Sequence, residues 1–217
     1  MVIQNILIDL DGTLTDPKVG ITTSARYGLE KIGHPIHLDT NIDWIIGPPL
    51  KASLAKILNV ASNHVLAEQA LEAYRERFAV TGLYENKVFP EVAETLAELK
   101  RHGYRLFLAT AKPTVYARQI LEHFELDQYF EGIYGSELNG DRTNKGDLIE
   151  YILQQEQLDP DTCIMVGDRE HDIFGARHNG IETIAVTYGY GSPEEFAQAE
   201  PKFQIQRFNE IFDCLGK

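Results

Sequence analysis

The sequence predicts an α/β fold, a doubly wound parallel sheet with an all-helical domain inserted after its first strand. Three observations predict it. Short apolar runs bounded by Gly, Asp or Pro recur along the chain, as strands buried on both faces do. Amphipathic helical patterns alternate with these runs beyond residue 85, and strand–helix alternation requires parallel crossovers. Residues 17–84 carry helical patterns and no convincing strand, a stretch too long for a loop.

In chain order, the first strand is the run VIQNILIDL (2–10), interrupted by Asp9. The insert follows, with helices expected over Thr22–Ile32, Leu50–Leu58 and His64–Val80. In the last of these Val65, Leu66, Ala70, Leu71, Tyr74 and Phe78 share one helical face. Hinges are expected near Asp16–Gly20 and Gly82–Pro90. Pro90 and an acidic first turn open a helix over Glu91–Arg101, and Gly103 follows its end. The run YRLFLAT (104–110) is the second strand, and Pro113 and Thr114 open a helix over Thr114–Phe124. GIYGS (132–136) is the third strand, and after the polar loop NGDRTNK a helix runs over Lys145–Gln155. TCIMVGD (162–168), a helix over His171–Asn179 and TIAVT (183–187) complete the alternation. The weakly patterned tail ends in FNEIFDCL, read as a short helix. The expected domains are thus a sheet core of 1–16 with 85–217 and a helical domain of 17–84.

Composition narrows the function. The chain has 217 residues, 43% hydrophobic and 24% charged, which is ordinary globular material. Its 20 basic and 33 acidic residues leave a net charge of −13. That balance argues against nucleic acid as a partner and against an anionic membrane surface. Cys163 and Cys214 are too few for a disulfide framework, and no secretory signal or span of about 18 apolar residues is present. A cytoplasmic protein is expected, monomeric or homodimeric.

The polar residues at the strand ends carry the chemistry. In doubly wound sheets ligands bind beyond the carboxyl ends of the strands. Strand one ends in Asp9 with Asp11 next but one, strand two in Thr110, and strand four in GDREHD with Asp168 and Asp172; Lys145 starts a helix. Four carboxylates in one small volume require a cation. Oxygen ligands without His or Cys suit a hard ion, Mg²⁺, which favours phosphate as a further ligand. One Asp can then attack phosphorus while its neighbour protonates the leaving oxygen and later deprotonates water. The Thr hydroxyl and Lys ammonium are suited to the equatorial phosphoryl oxygens.

With these residues in this order, the sequence resembles the haloacid dehalogenase-like hydrolase superfamily, in its capped phosphatase branch with a Rossmann-like core. The likeness covers essentially the whole chain. It implies Asp9 as nucleophile, Asp11 as general acid/base, Thr110 and Lys145 on the phosphoryl group, and Asp168 and Asp172 as Mg²⁺ acids. In relatives the metal also touches Asp9 and the backbone carbonyl at the position of Asp11. Gly12 and Thr13 match the turn that opens the flexible segment over the site, and 17–84 occupies the position of a mobile cap. The second motif departs from the usual Ser/Thr–Asn: Ala111 offers no side-chain hydrogen bond, so a backbone N–H there or Lys112 faces the phosphate. An acid at Asp11 favours phosphoester over halide chemistry. The substrates implied are small soluble phosphate esters, phosphoglycolate or nucleoside 5′-monophosphates.

Other residues weigh less. His171 lies between two acids at a helix start, and His34 and His37 sit in a loop of the insert, where histidines are usually inert. Tyr188, Tyr190 and Gly191 in TYGYG either rim the site or simply connect elements. Trp44 is expected in the core of the insert. The loop GPPL (47–50) matches the substrate-facing loop of such caps, but Leu50 stands where sugar phosphomutases place a cation, with Lys51 beside it. That favours a phosphatase over a β-phosphoglucomutase-like mutase. A non-catalytic phosphate-binding protein on the same fold is the third alternative; it would need neither Asp9 nor Asp11 as a pair.

Overall fold

The computed structural model describes residues 2–216. In chain order the elements are β1 (Asn5–Ile8), β2 (Thr15–Asp16), α1 (Lys18–Lys31), α2 (Leu50–Leu58), α3 (Val65–Arg77), β3 (Lys87–Val88) and α4 (Val92–Arg101). There follow β4 (Arg105–Pro113), α5 (Thr114–His123), β5 (Gly132–Ser136), α6 (Lys145–Glu156), β6 (Cys163–Gly167) and α7 (Glu170–His178). The chain closes with β7 (Glu182–Val186), α8 (Pro193–Ala199), β8 (Phe203–Ile205) and α9 (Ile211–Cys214). Two compact units emerge, 1–16 with 88–217 and 17–87.

The larger unit is built on a six-stranded sheet in the order β5-β4-β1-β6-β7-β8, with every pairing parallel. β1 lies inside the sheet because its four residues, NILI, are buried on both faces. Its register sets Asn5 beside Arg105 on one side and Cys163 on the other. From β1 the sheet extends in opposite directions, toward β5 and toward β8, so the strand order reverses there. Beneath the sheet Leu148, Ile149 and Ile152 of α6 pack with Leu7, Phe107 and Met165 in one cluster. Each such side chain fully buried contributes roughly 1.5–3 kcal/mol. Burial also pushes the Cys163 thiol up to about 11, which leaves it a small core residue rather than a nucleophile.

Several expectations shift. β4 runs past Thr110 to Pro113, because Pro113 regains pairing with Ser136 after an irregularity. α8 and the edge strand β8 have no counterpart in the sequence reading: three residues, FQI, show no period, and Ser192 caps α8 by accepting from the Glu195 N–H at 3.2 Å.

In the smaller unit α1 packs on α3, and α2 also packs on α3. Leu29, Leu54, Ala67, Ala70 and Phe78 are buried, and Tyr74 stacks on Phe78 with centroids 4.9 Å apart. α1 starts at Lys18, not Thr22, so the expected hinge segment is partly helical; the Ile21 N–H bonds the Pro17 carbonyl at 3.0 Å. α3 ends at Arg77, and Phe78–Gly82 continues as a π-helical turn closed by the Leu83 N–H on the Phe78 carbonyl, 2.9 Å. Arg77 forks onto both oxygens of Glu85, 2.7 and 2.8 Å, and fixes that turn. Trp44 is not core: it is 37% exposed, with the Lys56 ammonium 4.7 Å over its ring. Among the described residues no helix is long and apolar enough to cross a membrane.

Candidate active site

The adjacent strands β4, β1 and β6 end at a common edge, and their last residues deliver the polar groups. Asp9 follows β1, and its N–H donates to the Val166 carbonyl of β6 at 2.9 Å. The chain then turns tightly: the N–H groups of Leu14 and Thr15 both bond the Leu10 carbonyl, at 2.9 and 3.0 Å. Gly12 in this turn has φ +87°, and a Cβ there would lie 2.1 Å from Asp168 Oδ2. Glycine is required at that point for both reasons.

Lys145 is the first residue of α6, behind Asn144, whose side chain accepts from the Gly146 and Asp147 N–H groups. A lysine at a helix N-terminus opposes the macrodipole, and this one is also buried. Its compensation is explicit. Nζ lies 2.8 Å from Asp9 Oδ1 and 2.7 Å from Asp172 Oδ1, and donates to the Ala109 carbonyl at 2.8 Å. Burial works against the charged ammonium, but Asp172 and Asp9 outweigh it and raise its pKa. Asp172 also closes the start of α7 by accepting from the Arg169 N–H at 3.1 Å.

Asp168 is fully buried at the end of β6, and its Oδ2 accepts from the Tyr190 N–H at 2.7 Å. Burial first, then Asp172 and Asp9, push its carboxyl well above the usual range. Asp9 is raised to about 6, mainly by burial, with Lys145 opposing and Asp172 adding to the rise. One oxygen each from Asp9, Asp168 and Asp172 lie within 4.8 Å of one another. Asp168 Oδ1 is buried with no hydrogen-bond partner. Three buried acids that one lysine cannot neutralise, offering only oxygen donors, fit a hard divalent cation.

The carboxylate of Asp11 stands outside this group of three. Its Oδ2 lies 2.8 Å from Lys112 Nζ, with both side chains nearly inaccessible. Thr110 is buried, and its hydroxyl accepts from the Lys112 N–H at 3.3 Å. The Ala111 carbonyl accepts from Ser136 Oγ at 2.7 Å. His171 is half-buried, while His34 and His37 are exposed.

Sequence reasoning left three of these contacts unseen: the Lys112–Asp11 pair, the Tyr190 N–H on Asp168, and the Arg169 fork onto Glu195 at 2.8 and 3.0 Å. Arg169 had a signal, standing between two site acids in GDREHD. TYGYG is a candidate rim of the site in the sequence, but the Tyr190 contact itself has no signal there, since a backbone N–H has no letter of its own.

The residues brought together run in chain order Asp9, Asp11, Thr110, Lys145, Asp168 and Asp172. A family model described as haloacid dehalogenase-like hydrolase matches residues 6–186, across all of them. The chain belongs to the haloacid dehalogenase-like hydrolase family. This hydrolase is 46% identical to a 5′-nucleotidase of Pseudomonas aeruginosa, over 91% of this chain and 88% of that one. It is 39% identical to the tyrosine-protein kinase PtkA of Mycobacterium tuberculosis, over 87% of this chain and 63% of that one. The crystal structure of a protein described as a predicted phosphatase from Clostridium acetobutylicum matches it with a TM-score of 0.94 at 39% identity, over 99% of both chains. Two of these neighbours are described as a 5′-nucleotidase and a predicted phosphatase, the third as a tyrosine-protein kinase.

Proposed function

We propose that this hydrolase is a Mg²⁺-dependent phosphatase of small phosphomonoesters, nucleoside 5′-monophosphates first, working through an aspartyl-phosphate on Asp9. The observation that carries the reading is the buried contact of Lys145 with both Asp9 and Asp172. It keeps a carboxylate with one oxygen paired and ready beside the acids that suit a cation. The 46% identical 5′-nucleotidase supports the substrate class.

Asp9 attacks phosphorus as the bond to the leaving oxygen breaks, and Asp11 gives that oxygen its proton. Water then attacks the phosphoryl group, losing its proton to Asp11 and returning Asp9 as a carboxylate. Lys145 holds Asp9 in place and offsets charge on the phosphoryl oxygens, which the Thr110 hydroxyl and the backbone of Gly12 and Ala111 also face. Mg²⁺ on Asp9, Asp168, Asp172 and the Asp11 carbonyl would supply further charge neutralisation at the phosphoryl group. Two free thiols, Cys163 and Cys214, agree with work in a reducing cytoplasm.

The test is kcat/KM with Mg²⁺ for nucleoside 5′-monophosphates, phosphoglycolate and p-nitrophenyl phosphate, following inorganic phosphate. Nucleoside 5′-monophosphates are expected to lead phosphoglycolate by about tenfold or more, a difference of roughly 1.4 kcal/mol in transition-state binding. The reverse order removes the nucleotide assignment. Conversion to an isomerised ester without phosphate release removes the phosphatase.

Metal binding has a readout of its own. The Asp9 carboxyl is raised to about 6 in the folded protein, against an ordinary 3.8, and Asp168 is raised as well. The metal-free folded state therefore binds more protons than the unfolded one, and its stability falls as pH rises through that window. Mg²⁺ stabilises the ionised acids. Thermal melting should accordingly show a Mg²⁺-induced rise in Tm of several degrees at pH 7.5 that shrinks markedly at pH 5. An equal rise at both pH values would detach the metal from these acids.

A further inference from the structure

Each acid of the first motif has its own buried lysine. Lys145 serves Asp9, as the mechanism requires, and Lys112 lies 2.8 Å from Asp11 Oδ2. The side chains of Lys112 and Asp11 are only 5% and 10% exposed. Lysine is seldom so buried, and a well-packed apolar pair would be at least as stable, so stability alone does not explain the arrangement.

The backbone has been shaped to deliver this lysine. Along β4, Thr110 faces Gly135 and Pro113 faces Ser136, so Ala111 and Lys112 fall outside the register. The irregularity is locked on every side. Thr110 Oγ1 takes the Lys112 N–H, Ser136 Oγ holds the Ala111 carbonyl, and the Lys112 carbonyl lies 2.3 Å from where a Cβ on Gly135 would stand. Irregularities of this kind re-aim a side chain beside a site. Asp11 meanwhile has one oxygen on the ammonium and the other, Oδ1, buried and without a hydrogen-bond partner.

We propose that Lys112 is a positioning residue for Asp11: its ammonium holds Oδ2, so that Oδ1 is the atom that carries the proton to the leaving oxygen and later takes one from water. An ammonium offers only donors, so it can face the unprotonated oxygen of the carboxyl in either state, and the proton is confined to Oδ1. As the ester P–O bond breaks, the Oδ1 proton passes to the departing oxygen and the carboxylate remains paired with Lys112. The inference rests on the phosphatase reading and on Asp11 as its acid.

The experiment compares leaving groups in the Mg²⁺-loaded enzyme. An alkyl phosphate, a nucleoside 5′-monophosphate, needs its leaving oxygen protonated; p-nitrophenyl phosphate, with a weakly basic leaving group, needs it far less. Lys112→Met is expected to lower kcat/KM for the alkyl ester about 100-fold and for p-nitrophenyl phosphate less than about tenfold. Lys112→Arg should recover most of the alkyl-ester activity. Asp11→Asn should show the same selectivity, and adding Lys112→Met to it should cost nothing more on the alkyl ester.

Equal losses on both esters would make Lys112 a phosphate ligand or a purely structural residue and overturn the proposal, as would no loss. If Lys112→Met does not fold, Lys112→Gln and Lys112→Arg carry the same comparison. A wild-type enzyme that hydrolyses neither ester defeats the phosphatase reading itself. An Asp11→Asn variant without leaving-group selectivity defeats the acid assignment, and this proposal with it, while leaving the phosphatase reading in place.

Discussion

Asp9→Asn should lower kcat on any phosphomonoester by on the order of 10⁴-fold or more, the scale seen when a covalent nucleophile is removed. The amide is close to isosteric with the carboxylate, so the turn through Gly12 and the backbone bond to Val166 survive. In the proposed mechanism what it loses is the negative charge that makes the Asp9 oxygen a nucleophile toward phosphorus, the same charge that Lys145 balances at 2.8 Å. Lys145 retains Asp172 at 2.7 Å, so the ammonium is not stranded and the variant should fold. Removing a burdened buried acid, raised to about 6 mainly by burial, also relieves the metal-free protein at neutral pH. The expected result is thus a dead enzyme that melts no lower than the wild type without metal. Phosphate release and circular dichroism measured together check it; normal turnover by the Asn variant would mean another group attacks.

Lys145→Met acts in the opposite sense on stability. It takes away the cation that touches Asp9 and Asp172 and leaves their charges buried, a change expected to cost roughly 3–5 kcal/mol. Turnover should fall about 10²–10³-fold, as when a donor to developing charge is removed. The pH dependence separates the two effects. Without the ammonium the Asp9 carboxyl rises further, the folded state takes up more protons than the unfolded one, and stability improves as pH falls from 7.5 to 5. Urea unfolding at both pH values reads this directly. A variant as stable as the wild type at pH 7.5 in EDTA would show that Lys145 does not neutralise these acids.

The pattern of the sequence was informative where a single physical signal dominates. The four buried residues of β1, the helix α2 over Leu50–Leu58, and GIYGS as β5 are each marked by periodicity or by bounded apolar runs. Trp44 departs from its expected core position: aromatic area alone argues for burial, whereas here a neighbouring Lys56 covers its face and it stays 37% exposed. α3 is shorter than its apolar pattern predicts, because such a pattern does not distinguish an i→i+4 ladder from the wider turn that closes at Leu83.

By itself the sequence determined the alternation of strands and helices, the helical insert, and which acids, hydroxyl and lysine stand at the strand ends and helix starts. Residue type and spacing suffice for these, because a buried carboxylate at a strand end has few explanations. Only the tertiary structure decided which charge answers which. Asp9 and Lys145 meet across 136 positions of chain, and Lys112 turns to Asp11 through an irregularity in β4 that no letter encodes. Electrostatic partners are set by distances of a few ångströms between separate segments, and the folded chain alone supplies those distances.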